Sequence, residues 1–166
     1  MSDITLRHIS EADTDLVVRW RNSDAVRSWY IRREFTAEMH ENWLHTMVYT
    51  GKVVQFIIEY NGHPVGSAFL RDIDRENKSA EFGIFIGEEN ARGVGCGTEV
   101  AKQLIKYGFS QLKLHRIFLR VLHNNHIAIN SYISAGFSYE GTAKDMVYLD
   151  GRYLDVVFMS IINGEV

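Results

Sequence analysis

Apolar and polar side chains alternate over Ile4-Thr5-Leu6-Arg7-His8-Ile9, the two-residue period of a strand with one buried face. The period then lengthens: Ala12, Leu16, Val17 and Trp20 fall on one helical stripe, and Ser10 is placed to cap it. That helix should end around Trp20-Arg21-Asn22, where Ser23 or Asp24 opens a short second helix through Ala25, Val26 and Trp29. Thr36 starts a third helical segment with Met39, Trp43, Leu44 and Met47 on one face. Beyond Gly51, residues 53–60 read as a strand, Asn61-Gly62 as a hairpin turn and residues 63–73 as the returning strand. Residues 79–87 add a third antiparallel strand.

The strongest helical pattern follows, with Gly97, Val100, Ala101, Leu104, Ile105, Gly108, Phe109 and Leu112 keeping the 3.6-residue period. Residues 116–122 form a short apolar strand. Asn124 or Asn125 then caps a helix running to Ala135, which Gly136 stops. Residues 137–162 fold back at Asp150-Gly151 as two last strands. The order strand, helices, three strands, helix, strand, helix, two strands implies an α/β (α+β) architecture, a mixed, mostly antiparallel sheet of about seven strands flanked by helices. With 166 residues and 46% hydrophobic content, residues 1–166 suffice for one domain around one core.

Charge and composition narrow the function. A net charge of -3, with 18 basic residues scattered among 21 acidic ones, leaves no footprint for nucleic acid. No apolar stretch approaches the roughly 20 residues of a membrane span. The single cysteine, Cys96, has no partner for an internal disulfide, and Met1-Ser2-Asp3-Ile4-Thr5 lacks the basic and apolar blocks of a signal peptide. A cytoplasmic protein is the expectation.

Between the apolar run 82–86 and the long helix lies Asn90-Ala91-Arg92-Gly93-Val94-Gly95-Cys96-Gly97-Thr98-Glu99. Its three glycines let backbone N–H groups turn inward, and the helix behind them aims its positive end at the same point, which makes an anion cradle. The spacing is neither the dinucleotide nor the Walker pattern. It resembles the pyrophosphate loop of the Gcn5-related N-acetyltransferases (GNAT). That resemblance implies that Arg92, Gly93, Val94, Gly95, Cys96, Gly97 and Thr98 hold the diphosphate of acetyl-coenzyme A, with the Arg92 guanidinium pairing to phosphate.

A second motif, Asn125-x-x-Ala128-x-x-x-Tyr132 followed by Ala135-Gly136-Phe137, resembles the same family, in which the asparagine contacts the coenzyme and the tyrosine faces its sulfur. The resemblance spans nearly the whole chain. It implies a sheet splayed around the acetyl-coenzyme A cleft, with backbone groups of Phe85 and Ile86 beside the pantetheine arm, and an assembly of two or more copies. Ser79-Ala80-Glu81-Phe82, Leu114-His115-Arg116 and Asp150-Gly151-Arg152-Tyr153 are similar to spermidine and ribosomal-protein acetyltransferases. Trp20-Arg21-Asn22 and Glu81-Phe82-Gly83 are instead similar to enzymes that acetylate nucleotide-linked 4-amino sugars.

Acetyl transfer needs a neutral amine, yet an alkyl ammonium with a pKa of roughly 10.4 is charged at neutral pH. Glu81 is the candidate base and His123 its reserve; where another branch of the family carries a glutamate on the next strand, this chain has Arg120. Tyr132 is the candidate acid for the departing thiolate. Gly83 would tolerate a bulge that presents backbone donors to the developing oxyanion. His123-x-x-His126 has no third ligand at a recognisable spacing, so no metal is expected. Glu34, Glu38 and Glu41 would suit a polyamine, whereas Arg27, Arg32 and Arg33 would suit an anionic group. The expected function is N-acetylation of a small-molecule primary amine, an amino sugar (nucleotide-linked or free) or a polyamine such as spermidine. Its rivals are N-terminal acetylation of a ribosomal protein and a catalytically silent acetyl-coenzyme A-binding module.

Overall fold

A computed structural model describes residues 3–29 and 34–164. Strand β1 (Ile4–His8) leads into three helices, α1 (Thr14–Asn22), α2 (Asp24–Arg27) and α3 (Ala37–Trp43), the last continuing as a wide turn of helix over Leu44–Val48. Strands β2 (Val54–Tyr60), β3 (His63–Asp74) and β4 (Ser79–Ile86) follow, then α4 (Cys96–Ser110), β5 (Arg116–Leu122), α5 (His126–Ala135), β6 (Ser138–Leu149) and β7 (Arg152–Ile162). The element order is the one the pattern predicts.

Among the described residues seven strands form one sheet in the order β1-β2-β3-β4-β5-β7-β6, in which the β4–β5 pair is parallel and the others are antiparallel. Asn61 and Gly62, with φ of 51° and 79°, make the tight turn between β2 and β3. The parallel pairing covers Ser79↔Arg116, Ala80↔Ile117 and Glu81↔Phe118 and ends there. Beyond it β4 continues on β3 to Ile86 while β5 continues on β7 to Leu122, so the two strands part and open a gap through the sheet.

The two faces of the sheet bury different cores. Phe56, Ile58, Leu70, Ala80, Phe82, Ile117 and Leu119 join Val100, Leu104 and Tyr132 under α4 and α5. On the opposite face, Ile57 and Phe85 join Val17, Trp20, Val26 and Leu44 under the first helices. Two local expectations change there. Ala12 is exposed, and the inward positions are taken by Asp13 and Thr14, because Asp13 is satisfied by Arg7 (2.7 and 3.0 Å) and by the Ser10 N–H (2.9 Å). Of the α3 stripe only Leu44 is core, while Met39, Trp43 and Met47 are half-buried around a cavity.

Candidate active site

The glycine loop sits at the open end of the gap. Gly95 caps α4 with φ 81°, and Gly93 has φ 72°; both lie in the left-handed region that side chains disfavour, and a Cβ at either would meet nothing within 4 Å. Glycine is therefore required there by backbone geometry and not by crowding. The first intrahelical bond is Glu99 N–H to Gly95 C=O (3.1 Å), which leaves the amides of Cys96, Gly97 and Thr98 without an acceptor in their own helix. This is an open cradle of donors at a 15-residue helix's positive end, and it fits a diphosphate. Cys96 itself turns inward, and burial pushes its thiol up to about 11, so its side chain is a small packed apolar group. Val94 is exposed, and the Thr98 hydroxyl donates to Ser131 C=O on α5 (3.4 Å).

Arg92 is drawn back onto the sheet: its guanidinium donates to the carbonyls of Ile86 (3.0 and 3.3 Å) and Gly87 (3.0 Å), bracing the loop against the end of β4. Gly87 in turn lies under Trp20, whose indole would collide with any Cβ there, and the Trp20 N–H donates to Glu88 (2.7 Å). Asn22 clasps both backbone groups of Phe35 (2.7 and 3.0 Å), and Arg21 lies over the Phe35 ring. The Trp20-Arg21-Asn22 motif thus ties the first helices to the strand that carries the cleft.

The strand itself corrects two expectations. The β3–β4 register is unbroken from Gly66↔Ile86 to Arg71↔Glu81, so there is no bulge at Gly83. The glycine is needed because the Phe69 ring lies against it, 2.3 Å from where a Cβ would be. Gly87 N–H donates to Val65 C=O (2.7 Å), and the alternation of an antiparallel ladder then turns the backbone groups of Phe85 onto β3 and those of Ile84 and Ile86 toward the gap. The Ile86 N–H faces the gap while its carbonyl is held by Arg92; the Phe85 side chain is core, and Ile84 lines the cleft.

On the α5 side of the gap, Asn125 caps the helix by accepting the Ala128 N–H (3.3 Å), and Tyr132, about two turns further on, packs edge-on to Phe82 (5.8 Å) and Phe137 (6.0 Å). Both Asn125 and Tyr132 reach the wall of a cleft of about 390 Å³ that fills the gap. From the other face the same cleft is lined by Trp29, Phe69, Arg71, Glu81 and Arg120, with Met146 and Val147 from the bulged part of β6.

Glu81 has surroundings opposite to those of a base. It is 2% exposed and bound on both oxygens: Arg120 donates through Nε to Oε1 (2.8 Å) and through an Nη to Oε2 (3.0 Å), and Arg71 Nε donates to Oε2 (3.0 Å). Burial alone would raise its pKa, but the hydrogen bonds and charges of the two guanidiniums outweigh it and hold the carboxyl below its ordinary value. A general base working near neutral pH needs the reverse shift. His123, the reserve, is exposed beyond β5, bonded to Asp155 C=O (3.3 Å), and does not line the cleft.

A second cavity, about 490 Å³, adjoins the first across Phe69 and Arg71. Its walls include Phe35, Met39, Trp43, Met47 and Phe85, with Arg21, Gln55 and His40 as polar members. His40 is 1% exposed, its Nδ1 bonded to Thr14 Oγ1 (2.9 Å), and burial lowers its pKa so that the ring is neutral. Glu34, Glu38 and Glu41 are exposed and line neither cavity, Arg27 pairs with Asp24, and Arg32 and Arg33 lie outside the described residues. Arg71, Phe69 and His40 are contributors that the motifs did not reveal. For Arg71 the available signal was a charge on the otherwise largely apolar strand β3. Among the described residues no three metal-ligating side chains gather, and no helix is long and apolar enough to cross a membrane.

A family profile described as "Acetyltransferase (GNAT) domain" matches residues 3–138. Spermidine N(1)-acetyltransferase of Escherichia coli is 28% identical over 163 residues, 98% of this chain and 87% of its own. The crystal structure of spermidine N-acetyltransferase from Vibrio cholerae in complex with CoA and spermine superposes with a TM-score of 0.89 at 26% identity, covering 96% of this chain and 95% of that one. A cradle for a diphosphate, a sheet parted beside it, and a match over most of the length lead to one conclusion: the chain belongs to the GNAT family of acetyl-coenzyme A-dependent N-acetyltransferases.

Proposed function

We propose that this enzyme acetylates the primary amine of a small molecule, with an amino sugar as the class its cleft suits best. The observation that carries the reading is the two-sided cleft: Tyr132 reaches it from the α5 face, and polar recognition groups reach it from the other. Acetyl-coenzyme A supplies the activated acetyl group. The amides of Cys96, Gly97 and Thr98, with those of Gly93, Val94 and Gly95, hold its diphosphate, and the gap-facing backbone of Ile84 and Ile86 aligns the pantetheine arm. Asn125 keeps its amide N–H₂ for the coenzyme while its oxygen caps α5. As the amine attacks the thioester carbon and the C–S bond breaks, the Tyr132 phenol gives its proton to the sulfur, and water in the open cleft takes the ammonium proton.

The amino-sugar reading is favoured over a polyamine because the only carboxylate lining either cavity, among the described residues, is Glu81, and both of its oxygens are engaged by arginine. A polycation would meet Arg71 and Arg120 first. The polyamine reading draws support from the names of the relatives. Coenzyme A release measured with glucosamine, spermidine, spermine and a short peptide decides between them. Glucosamine should exceed spermidine in kcat/KM by at least about tenfold, a difference of roughly 1.4 kcal/mol. The reverse order returns the enzyme to polyamines, a peptide preference returns it to N-terminal acetylation, and turnover of none returns it to a silent acetyl-coenzyme A-binding module.

A further inference from the structure

We propose that Arg71, Glu81 and Arg120 form a receptor for an anionic group, a phosphate or carboxylate, carried by the amine that this enzyme acetylates. The three side chains come from three adjacent strands and meet on the acceptor face where β4 and β5 part. Glu81 is the buried member and the arginines are 34% and 40% exposed, so the carboxylate is the floor and the guanidiniums are the rim. The hydrogen bonds to Glu81 take Nε of Arg71, and Nε with one Nη of Arg120. That leaves both terminal nitrogens of Arg71 and one of Arg120 outside the clamp, on side chains that line the cleft. Planar guanidiniums fixed on one side by a carboxylate present their remaining donors as a fork, the geometry that carboxylate and phosphate oxygens accept in pairs.

Charge points the same way. One buried carboxylate neutralises one of two guanidiniums, and Arg21 lines the adjoining cavity that Arg71 also borders. Exposed Asp72 acts on Arg120 only through its field and lines neither cavity. The Phe69 ring, against Gly83 and 5.5 Å from the Arg71 guanidinium carbon, fixes the second wall of that fork. Glu81 is thus a positioning residue, which accounts for a buried carboxylate with a lowered proton affinity beside a transfer cleft.

This proposal rests on the transfer reading only for where the amine lies, and its test separates the two. Inorganic phosphate titrated by calorimetry into protein saturated with coenzyme A, which occupies the loop, should bind wild type, and Arg120→Met and Arg71→Met should each weaken that binding by about tenfold or more. In parallel, the ratio of kcat/KM for glucosamine 6-phosphate to that for glucosamine should exceed about ten in wild type, should fall toward one in either methionine variant, and should recover in part in Arg71→Lys, which restores charge without the fork. Phosphate binding that depends on both arginines without turnover of any amine upholds the receptor and sinks the transfer reading. Absence of phosphate binding to the loaded wild-type protein, or equal binding in the folded methionine variants, overturns the receptor, as does a ratio that the variants leave unchanged.

Discussion

The two faces of the parted sheet are built on different principles. The coenzyme side is a contiguous piece of chain: ten residues from Asn90 to Glu99 carry the loop and the helix start, and what they offer is backbone amides. The opposite side is assembled from Arg71, Glu81 and Arg120, separated by 10 and 39 residues, and what it offers is side-chain charge. A backbone cradle depends on φ angles and so tolerates sequence change between its glycines. A side-chain receptor depends on three particular residues and can be retuned strand by strand, which suits a fold that keeps one acetyl donor and varies its acceptor.

The largest expected effect lies where the two sides meet. Tyr132→Phe keeps the ring against Phe82 and Phe137 and removes only the hydroxyl. Its kcat should fall roughly 10²-fold with acetyl-coenzyme A affinity little changed. Pre-steady-state acetyl transfer with any accepted amine measures this; wild-type turnover would make Tyr132 a packing residue and leave the departing thiolate to solvent.

A smaller effect isolates the coenzyme side. Gly95→Val introduces no clash, since a Cβ there meets nothing within 4 Å, but a β-branched residue resists φ 81°. Relief of that strain rotates the amides of Cys96 and Gly97 away from the cradle. Acetyl-coenzyme A should bind about tenfold or more weakly by calorimetry, while the unfolding midpoint moves little. A folded variant of unchanged affinity would contradict the diphosphate assignment.

The contrast also explains what the sequence disclosed. Element order, the hairpin at Asn61-Gly62, the loop and the α5 motif were legible because each is local: a period, a turn pair or glycines at fixed spacing. The gap in the sheet followed from family resemblance and is now visible in the end of pairing at Glu81↔Phe118. Glu81 was legible as a residue of the cleft but its pairing was not, because Arg71 and Arg120 come from neighbouring strands. Gly83 suggested a bulge to a reading of one strand, whereas the ring of Phe69 on the next strand is what requires it. Thr14 and His40, 26 residues apart, likewise pair only through packing of α1 against α3.

The smallest effect belongs to Glu81, and it divides the base from the positioning residue. Glu81→Gln keeps the shape and leaves two guanidiniums with a weaker partner; because the arginines are more than a third exposed, solvent screens them and the loss should be only about 1 kcal/mol, or about 2–4 °C in the unfolding midpoint. The folded-state pKa of Glu81 lies below its ordinary value near 4.5, so its contribution is complete above that value and is lost as pH falls through the lowered one. The midpoint deficit of Glu81→Gln should therefore be full at pH 7 and shrink as pH falls below the ordinary carboxylate range, closing where wild type itself becomes protonated and resembles the variant. As a positioning residue, Glu81 also predicts a raised KM for an anionic amine with kcat and its pH profile nearly unchanged. A base predicts instead a kcat lowered roughly 10²-fold at neutral pH and partly restored at high pH, where free amine is abundant. One pH series of kcat and KM in the two proteins, read beside their unfolding midpoints, separates these outcomes: a kcat deficit that closes as pH rises would place the base on the acceptor face after all.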